Sequence, residues 1–168
     1  IYAGQELGEK GMDCEGFSGM DGRTTIFDYW GIKSLQAWAN NGKFDGKNLT
    51  EEEKTLQDFY RKLLTLASTH PAITEGKMYD LEYAQLECFN KHEQFAFLRG
   101  KGDEILLIVT NFDDKEVNVH INIPEEARLY MGMNRRYKEG IDLLTDTKIT
   151  DIHNLTIPAW KGLIIKLI

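Results

Sequence analysis

Two runs of strand character, Phe95-Ala96-Phe97-Leu98-Arg99 and Ile105-Leu106-Leu107-Ile108-Val109-Thr110-Asn111-Phe112, most constrain what this chain can fold into. Between them lies Gly100-Lys101-Gly102-Asp103, a glycine-containing turn of the kind that closes an antiparallel hairpin. A strong amphipathic helix precedes this hairpin, and strand-like segments follow it to the last residue. One helix followed by many strands implies a cap on something larger. The opening residues Ile1-Tyr2-Ala3-Gly4-Gln5-Glu6 read as an apolar, strand-like run with no initiator Met, and are expected to be the interior of a longer chain.

From about residue 72 the pattern predicts strands over 73–81, 95–99, 105–111, 117–123, 137–143 and 155–168, with a second hairpin turn at Asp113-Asp114-Lys115. Val117, Val119, Ile121 and Ile123 alternate with Asn118, His120 and Asn122, the mark of a half-buried antiparallel strand. Six short strands with nothing helical between them argue for a β-sandwich.

The helix is the clearest local signal. Thr50 and Glu53 form a capping box, in which each side chain satisfies the other's backbone amide, and Glu51, Glu52 and Glu53 put negative charge where the helix dipole favours it. Leu56, Phe59, Tyr60, Leu63, Leu64 and Ala67 then fall on one face, with Lys54, Asp58, Arg61 and Lys62 on the other. Pro71 is expected to end the helix, because a residue before proline is pushed out of helical backbone. Upstream, 8–48 is rich in Gly, Asp and Asn and reads as a long loop. Ile32, Leu35 and Trp38 mark a short helix in it, ended by Asn41-Gly42.

A formal net charge of -7 and the lack of any Lys/Arg cluster larger than Arg135-Arg136 argue against nucleic acid and anionic membrane surfaces as partners. No apolar run approaches the ~20 residues that span a bilayer. The two cysteines, Cys14 and Cys88, read as free thiols. A search for self-contained chemistry finds little. Gly16-Phe17-Ser18-Gly19 has Met20 where a nucleophile elbow has its second glycine. His70, His92, His120 and His153 are far apart in sequence and read as surface or strand-face histidines. Asp13, Glu15, Asp21 and Asp28 read as solvated loop acids. Asn48-Leu49-Thr50 and Asn154-Leu155-Thr156 match the glycosylation acceptor pattern, which recurs by chance.

Read in order, the segments resemble the carboxy-terminal part of α-amylase-family glycoside hydrolases. Ile1-Tyr2-Ala3-Gly4-Gln5-Glu6-Leu7-Gly8 resembles the last strand of their (β/α)8 barrel, and Gly19-Met20-Asp21-Gly22-Arg23-Thr24-Thr25-Ile26-Phe27-Asp28-Tyr29-Trp30 the loop after it. Residues 49–69 resemble the final barrel helix. Gly76 to Leu81, 95–112 and 157–167 resemble the carboxy-terminal β-sandwich. The implied architecture is mainly β: an antiparallel Greek-key β-sandwich over 72–168, preceded over 1–71 by a barrel remnant of loop-rich segment and one long helix.

The resemblance implies a parent that hydrolyses α-1,4-linked glucans such as starch with retention. Its catalytic carboxylates would lie upstream of Ile1, so no residue here is expected to be catalytic and the chain alone should be inactive. By the same resemblance Asp21 and Arg23 map onto the acid and arginine that line the non-reducing-end side of the cleft; a loop salt bridge is the other reading of that pair. Tyr29, Trp30 and Trp38 could stack on a sugar or pack against barrel helices. Trp160 is expected in the last strand as core or interface packing. No cofactor or metal is expected in this chain, while the parent could hold a structural calcium whose usual ligands lie upstream. The sandwich is expected to be a structural cap. A carbohydrate-binding module is the rival, requiring exposed coplanar aromatics for which Tyr79, Tyr83 and Phe89 are the candidates, and an interaction domain without a glycan role is a third reading. The exposed apolar surface of the barrel remnant makes a homodimer a reasonable expectation. Sedimentation at several concentrations should show self-association, and a strict monomer would remove that idea.

Overall fold

The computed structural model describes residues 1–9, 32–86 and 89–168, which divide into two compact units, Ile1–Leu64 and Thr65–Ile168. Asp13, Cys14, Glu15, the Gly16–Gly19 pattern, Asp21, Arg23, Asp28, Tyr29, Trp30 and Cys88 lie outside the described residues, and so do the readings attached to them.

In the first unit the expected strand at the start is a turn. Gly4 takes positive φ and leads into a short 3-10 helix, Gln5–Leu7, closed by Gly8. Among the described residues no neighbouring strand pairs with Ile1 to Ala3, and a strand without a partner leaves its amides and carbonyls unsatisfied. The short helix α1, Lys33–Ala39, lies where the apolar cluster predicts one, and Asn40 and Asn41 end it in left-handed backbone. Trp38 packs its ring 5.5 Å from Phe44, the packing alternative of its two readings.

Helix α2 runs Glu51–Thr69 and begins with the expected capping box: the Glu53 amide donates to Thr50 Oγ1 at 3.2 Å, and the Thr50 amide donates to Glu53 Oε2 at 2.7 Å. No residue of α2 is buried, and Phe59 and Leu64 of its apolar face are 47% and 48% exposed. Pro71 does more than end this helix. His70 stays extended, and Pro71 occupies the first turn of a further one-turn helix α3, Pro71–Thr74, where its missing amide costs nothing. The strand expected over 73–81 is accordingly shorter.

The second unit is an antiparallel sandwich. Strands β1 (Lys77–Asp80), β2 (Gln94–Lys101), β3 (Glu104–Asn111), β4 (Val117–His120), β5 (Gly140–Asp142), β6 (Thr147–Ile149), β7 (Asn154–Ile157) and β8 (Gly162–Leu167) form a six-stranded sheet in the order β1-β2-β3-β8-β5-β6 and a two-stranded sheet of β4 and β7. β8 returns past β6 and β7 to lie beside β5, a Greek-key order with β7 in the second sheet. The β2–β3 hairpin closes at Lys101↔Glu104, as the Gly-Lys-Gly-Asp turn predicts. Leu98, Leu107 and Ile165 of the large sheet share one core with Val119, Leu155 and Ile157 of the small one.

Two expectations are corrected here. The run over 155–168 is two strands, because Pro158 cannot donate to a ladder and Trp160 turns the chain at φ 55°. Trp160 is therefore in the turn, 67% exposed, and is neither strand nor core. A helix also does interrupt the strands: α4, Glu125–Met131, starts after Pro124, carries two acids in its first turn and ends on Gly132 at φ 73°. It buries Ala127 and Met131 in the sandwich core.

Two polar groups, Asn111 buried and Glu104 partly buried, hold the second unit's connections. Asn111, 1% exposed, donates from Nδ2 to the Lys115, Ile157 and Pro158 carbonyls, and its Oδ1 accepts from Gln94 and the Asp113 amide. Glu104 locks the α2–α3 junction to the hairpin: it accepts from His70 Nδ1 at 2.7 Å and from the Ala72 amide at 2.9 Å, with Lys166 Nζ 3.6 Å away. Arg99 reaches the same turn from β2 and donates to the Ala72 and Ile73 carbonyls.

Burial by itself would push the Glu104 carboxyl up, but the Ala72 amide and then His70 outweigh it, and the group sits below its ordinary value of 4.5. A depressed folded value means that the stabilisation is fully present above the ordinary value and is lost as pH falls through the depressed one. Glu104→Gln is expected to lower stability at neutral pH by about 1.5–3 kcal/mol, the range for a hydrogen bond to a charged group. Urea midpoints of the two proteins should converge below pH 4.5, and a gap independent of pH would refute this account.

Candidate functional site

The sequence-derived substrate contacts Asp21 and Arg23 lie outside the described residues, so the site is sought in what the described residues bring together. The tyrosines proposed for a flat glycan platform do meet, but not as a platform. Tyr79 and Tyr83 are tilted at 56° with centroids 6.3 Å apart, Tyr130 joins Tyr79 at 52°, and Phe89 is buried in the core. The Tyr83 phenol is hydrogen-bonded to Tyr79 at 2.9 Å and donates to Glu126 at 3.0 Å. Its hydrogen bond with Tyr79 and then its contact with the Glu126 carboxylate push the phenol well above the ordinary tyrosine range.

A more enclosed arrangement lies at the end of β4. A cleft of about 420 Å³ opens between the β4–α4 connection, the first turn of α4, the segment after α4 and the β6–β7 connection. His120, Glu125, Arg128, Arg136, Tyr137 and His153 edge it, and the apolar Ile123, Pro124 and Met133 complete its lining. Two of the histidines that are far apart in sequence meet here. Antiparallel pairing of β4 with β7 sets His120 opposite Asn154, so His153 comes alongside, and the two rings stack with centroids 6.2 Å apart.

Hydrogen bonding fixes these side chains. His153 Nδ1 donates to the Ile121 carbonyl at 2.8 Å, because a carbonyl can only accept. Asn154 Nδ2 donates to Asp151 Oδ2 at 2.7 Å, which leaves Asn154 Oδ1 to accept from His120 Nδ1 at 3.0 Å. Asp151 also accepts from the His153 amide at 2.9 Å. Its hydrogen bond from Asn154 and then that from the His153 amide hold the Asp151 carboxyl below its usual range. Arg128 is paired with Glu125 at 2.6 Å, whereas Arg136 is exposed and has no ion partner among the described residues. Arg135 sits over the Tyr137 ring at 4.8 Å and steadies it.

Nothing in the linear sequence announces this cleft, since its edges come from three connections and one helix turn between 120 and 153. The stack could have been found only by pairing Val117-Asn118-Val119-His120 with Asn154-Leu155-Thr156-Ile157 in register. Among the described residues no three His, Cys, Asp or Glu side chains converge to hold a metal ion, and no helix is long and apolar enough to cross a membrane.

With the fold in view, comparison with known proteins places the sandwich. Residues 89–168 match the family model described as the C-terminal all-beta domain of alpha amylase. The resemblance read in the sequence therefore holds. Alpha-amylase 2 of Dictyoglomus thermophilum is 24% identical over 123 residues, 73% of this chain and 17% of that protein. Among solved structures, AmyP in complex with maltose superposes with a TM-score of 0.54 at 16% identity, covering 71% of this chain and 22% of that one. An Anoxybacillus alpha-amylase gives 0.52 at 20% identity, covering 74% and 25%. At such identities the structural likeness speaks for the fold alone. The chain thus spans about a fifth of the length of these relatives, 17% to 25%.

Asp151 is the anchor of the cleft's far wall. Asp151→Ala is expected to speed amide exchange at His153 and Asn154 at least about tenfold, while the unfolding midpoint barely moves. Unchanged exchange at His153 would mean that Asp151 does not hold the connection.

Proposed function

We propose that this chain is the carboxy-terminal portion of a retaining α-amylase-type glycoside hydrolase acting on α-1,4-linked glucans such as starch and maltooligosaccharides. In this reading 1–71 contribute the end of the catalytic barrel, and 72–168 form a sandwich that caps it. The family match over 89–168 carries the reading. The half-exposed apolar face of α2 supports it, as a helix with a large apolar stripe is built to be covered. Asp21 and Arg23 are proposed to meet substrate hydroxyls through charge-assisted hydrogen bonds at the barrel cleft. The parent's catalytic carboxylates are proposed to lie outside this chain, as are the ligands of any structural calcium. A free-standing carbohydrate-binding module is less well supported, because Tyr79 and Tyr83 are tilted and Phe89 is buried.

The reading is tested by assaying reducing sugar released from starch by this chain and by the full-length protein. The chain should release none. The full-length protein should release α-configured products, read by NMR of the fresh anomeric centre. Hydrolysis by the chain would put the catalytic carboxylates within it, and β-configured products would overturn retention.

A further inference from the structure

We propose that the cleft edged by His120, Glu125, Arg128, Arg136, Tyr137 and His153 is a non-catalytic saccharide site on the sandwich, additional to its role as a cap. The proposal takes its first probe, an α-glucan, from the function proposed above; the cleft itself is argued from its own chemistry. At about 420 Å³ it is within the roughly 300–1,000 Å³ of small-molecule sites, large enough for a short sugar segment.

Composition decides the ligand class. The cleft combines apolar surface from Ile123, Pro124 and Met133 with donors and acceptors interspersed around the edge. A pyranose has the matching character, with C–H patches on its faces and hydroxyls that donate and accept around its rim. Arg136 and Arg128 can donate, Glu125 can accept, and the Nε2 of neutral His153 keeps its lone pair because Nδ1 is committed to the Ile121 carbonyl. A hydrocarbon ligand would bury the Arg136 guanidinium and the His153 Nε2 without partners, which is unfavourable. A compact anion would gain from Arg136 but would face the Glu125 carboxylate and leave the apolar surface unused.

Three of the groups are also held before any ligand arrives, with Arg136 left exposed beside them. Arg128 is tied to Glu125, His153 to the Ile121 carbonyl and Asp151, and Tyr137 to Arg135. Binding to a preorganised edge loses little side-chain freedom. The cleft continues onto the outer face of the small sheet, where the exposed Asn118 and Thr156 face each other two residues along from the His120↔Asn154 pair. Thr156 Oγ1 donates to Asn118 Oδ1 at 2.6 Å, so a strip of amide, hydroxyl and imidazole groups leads away from the cleft, along which a longer saccharide can run.

The test is an NMR and calorimetric titration of the whole chain with maltoheptaose, cellohexaose and inorganic phosphate, repeated with Arg136→Ala and Tyr137→Phe. Tyr130→Ala, in the separate tyrosine cluster, is the control. Maltoheptaose is expected to bind with a dissociation constant on the order of 1 mM. Its shifts should centre on His120, His153 and Tyr137. Arg136→Ala should weaken it about fivefold, the loss of one net hydrogen bond, at an unchanged unfolding midpoint. Tyr130→Ala should leave binding as it was. Cellohexaose binding without maltoheptaose binding would support the cleft while counting against the α-glucan reading. Binding of neither saccharide, binding of phosphate alone, or saccharide binding indifferent to Arg136→Ala would each overturn the proposal. The reducing-sugar assay of the full-length protein is independent of every one of these outcomes.

Discussion

The second unit depends on one pairing above all others: β8 enters between β3 and β5 and makes one sheet out of a three-stranded meander, β1-β2-β3, and the β5-β6 hairpin. Leu106 to Thr110 pair with Lys166 to Gly162 on one side, and Gly140 to Asp142 pair with Leu167 to Ile165 on the other. Without β8, β1-β2-β3 and β5-β6 share no strand edge. The fit is tight enough to dictate a residue. A Cβ at Gly140 would sit 2.4 Å from Ile165 Cγ2 and 2.7 Å from the Lys166 carbonyl oxygen, so side-chain rotation alone could not relieve it. Because β3 and β8 are separated by some fifty residues of intervening chain, this contact is non-local, and loop-closure entropy must be offset before it stabilises anything.

Buried polar groups secure what the ladder begins. Asn111 stands at the end of β3, where the chain leaves for the small sheet, and its amide satisfies carbonyls on both connections that link the sheets. Asp142 does the same at the β5–β6 turn, accepting from Thr145 and from the amides of Leu144 and Ile164. At the other end of the hairpin, Glu104 and Arg99 satisfy the α2–α3 junction. Such groups stabilise chiefly because leaving any of their buried partners unmade would cost more than the bond contributes. The cleft follows from the same frame. With Ala127 and Met131 of α4 fixed in the core, Glu125 and Arg128 are left at the edge facing the β6–β7 connection.

What was legible in the sequence was local. The α2 capping box, the Asn-rich end of α1, the Gly-Lys-Gly-Asp hairpin and the alternation in β4 each involve residues within a few positions of one another. The errors arose where a partner decided. Ile1 to Ala3 have strand-like residues but no strand to pair with among those described. The last apolar run is two strands in different sheets, divided by Pro158 and the left-handed Trp160. Helix α4 carries readable signals, Pro124, Glu125-Glu126 and Gly132, but its seven residues are obscured by the longer strand-like runs on either side.

The sequence by itself determined the class of architecture, because hydrophobic period, caps and turn residues are short-range properties that survive in a linear reading, and the order of its segments carried the resemblance to the α-amylase family. Its net charge of -7, with no basic cluster larger than a pair, argues against nucleic acid as a partner. Only the tertiary structure decided that His120 and His153 stack, that Arg136 and Tyr137 join them around one cleft, and that Trp160 is exposed. Those facts depend on strand register and on which sheet each strand enters. Register is set by packing between residues distant in the chain, and a slip of one position would turn every side chain of β7 to the opposite face.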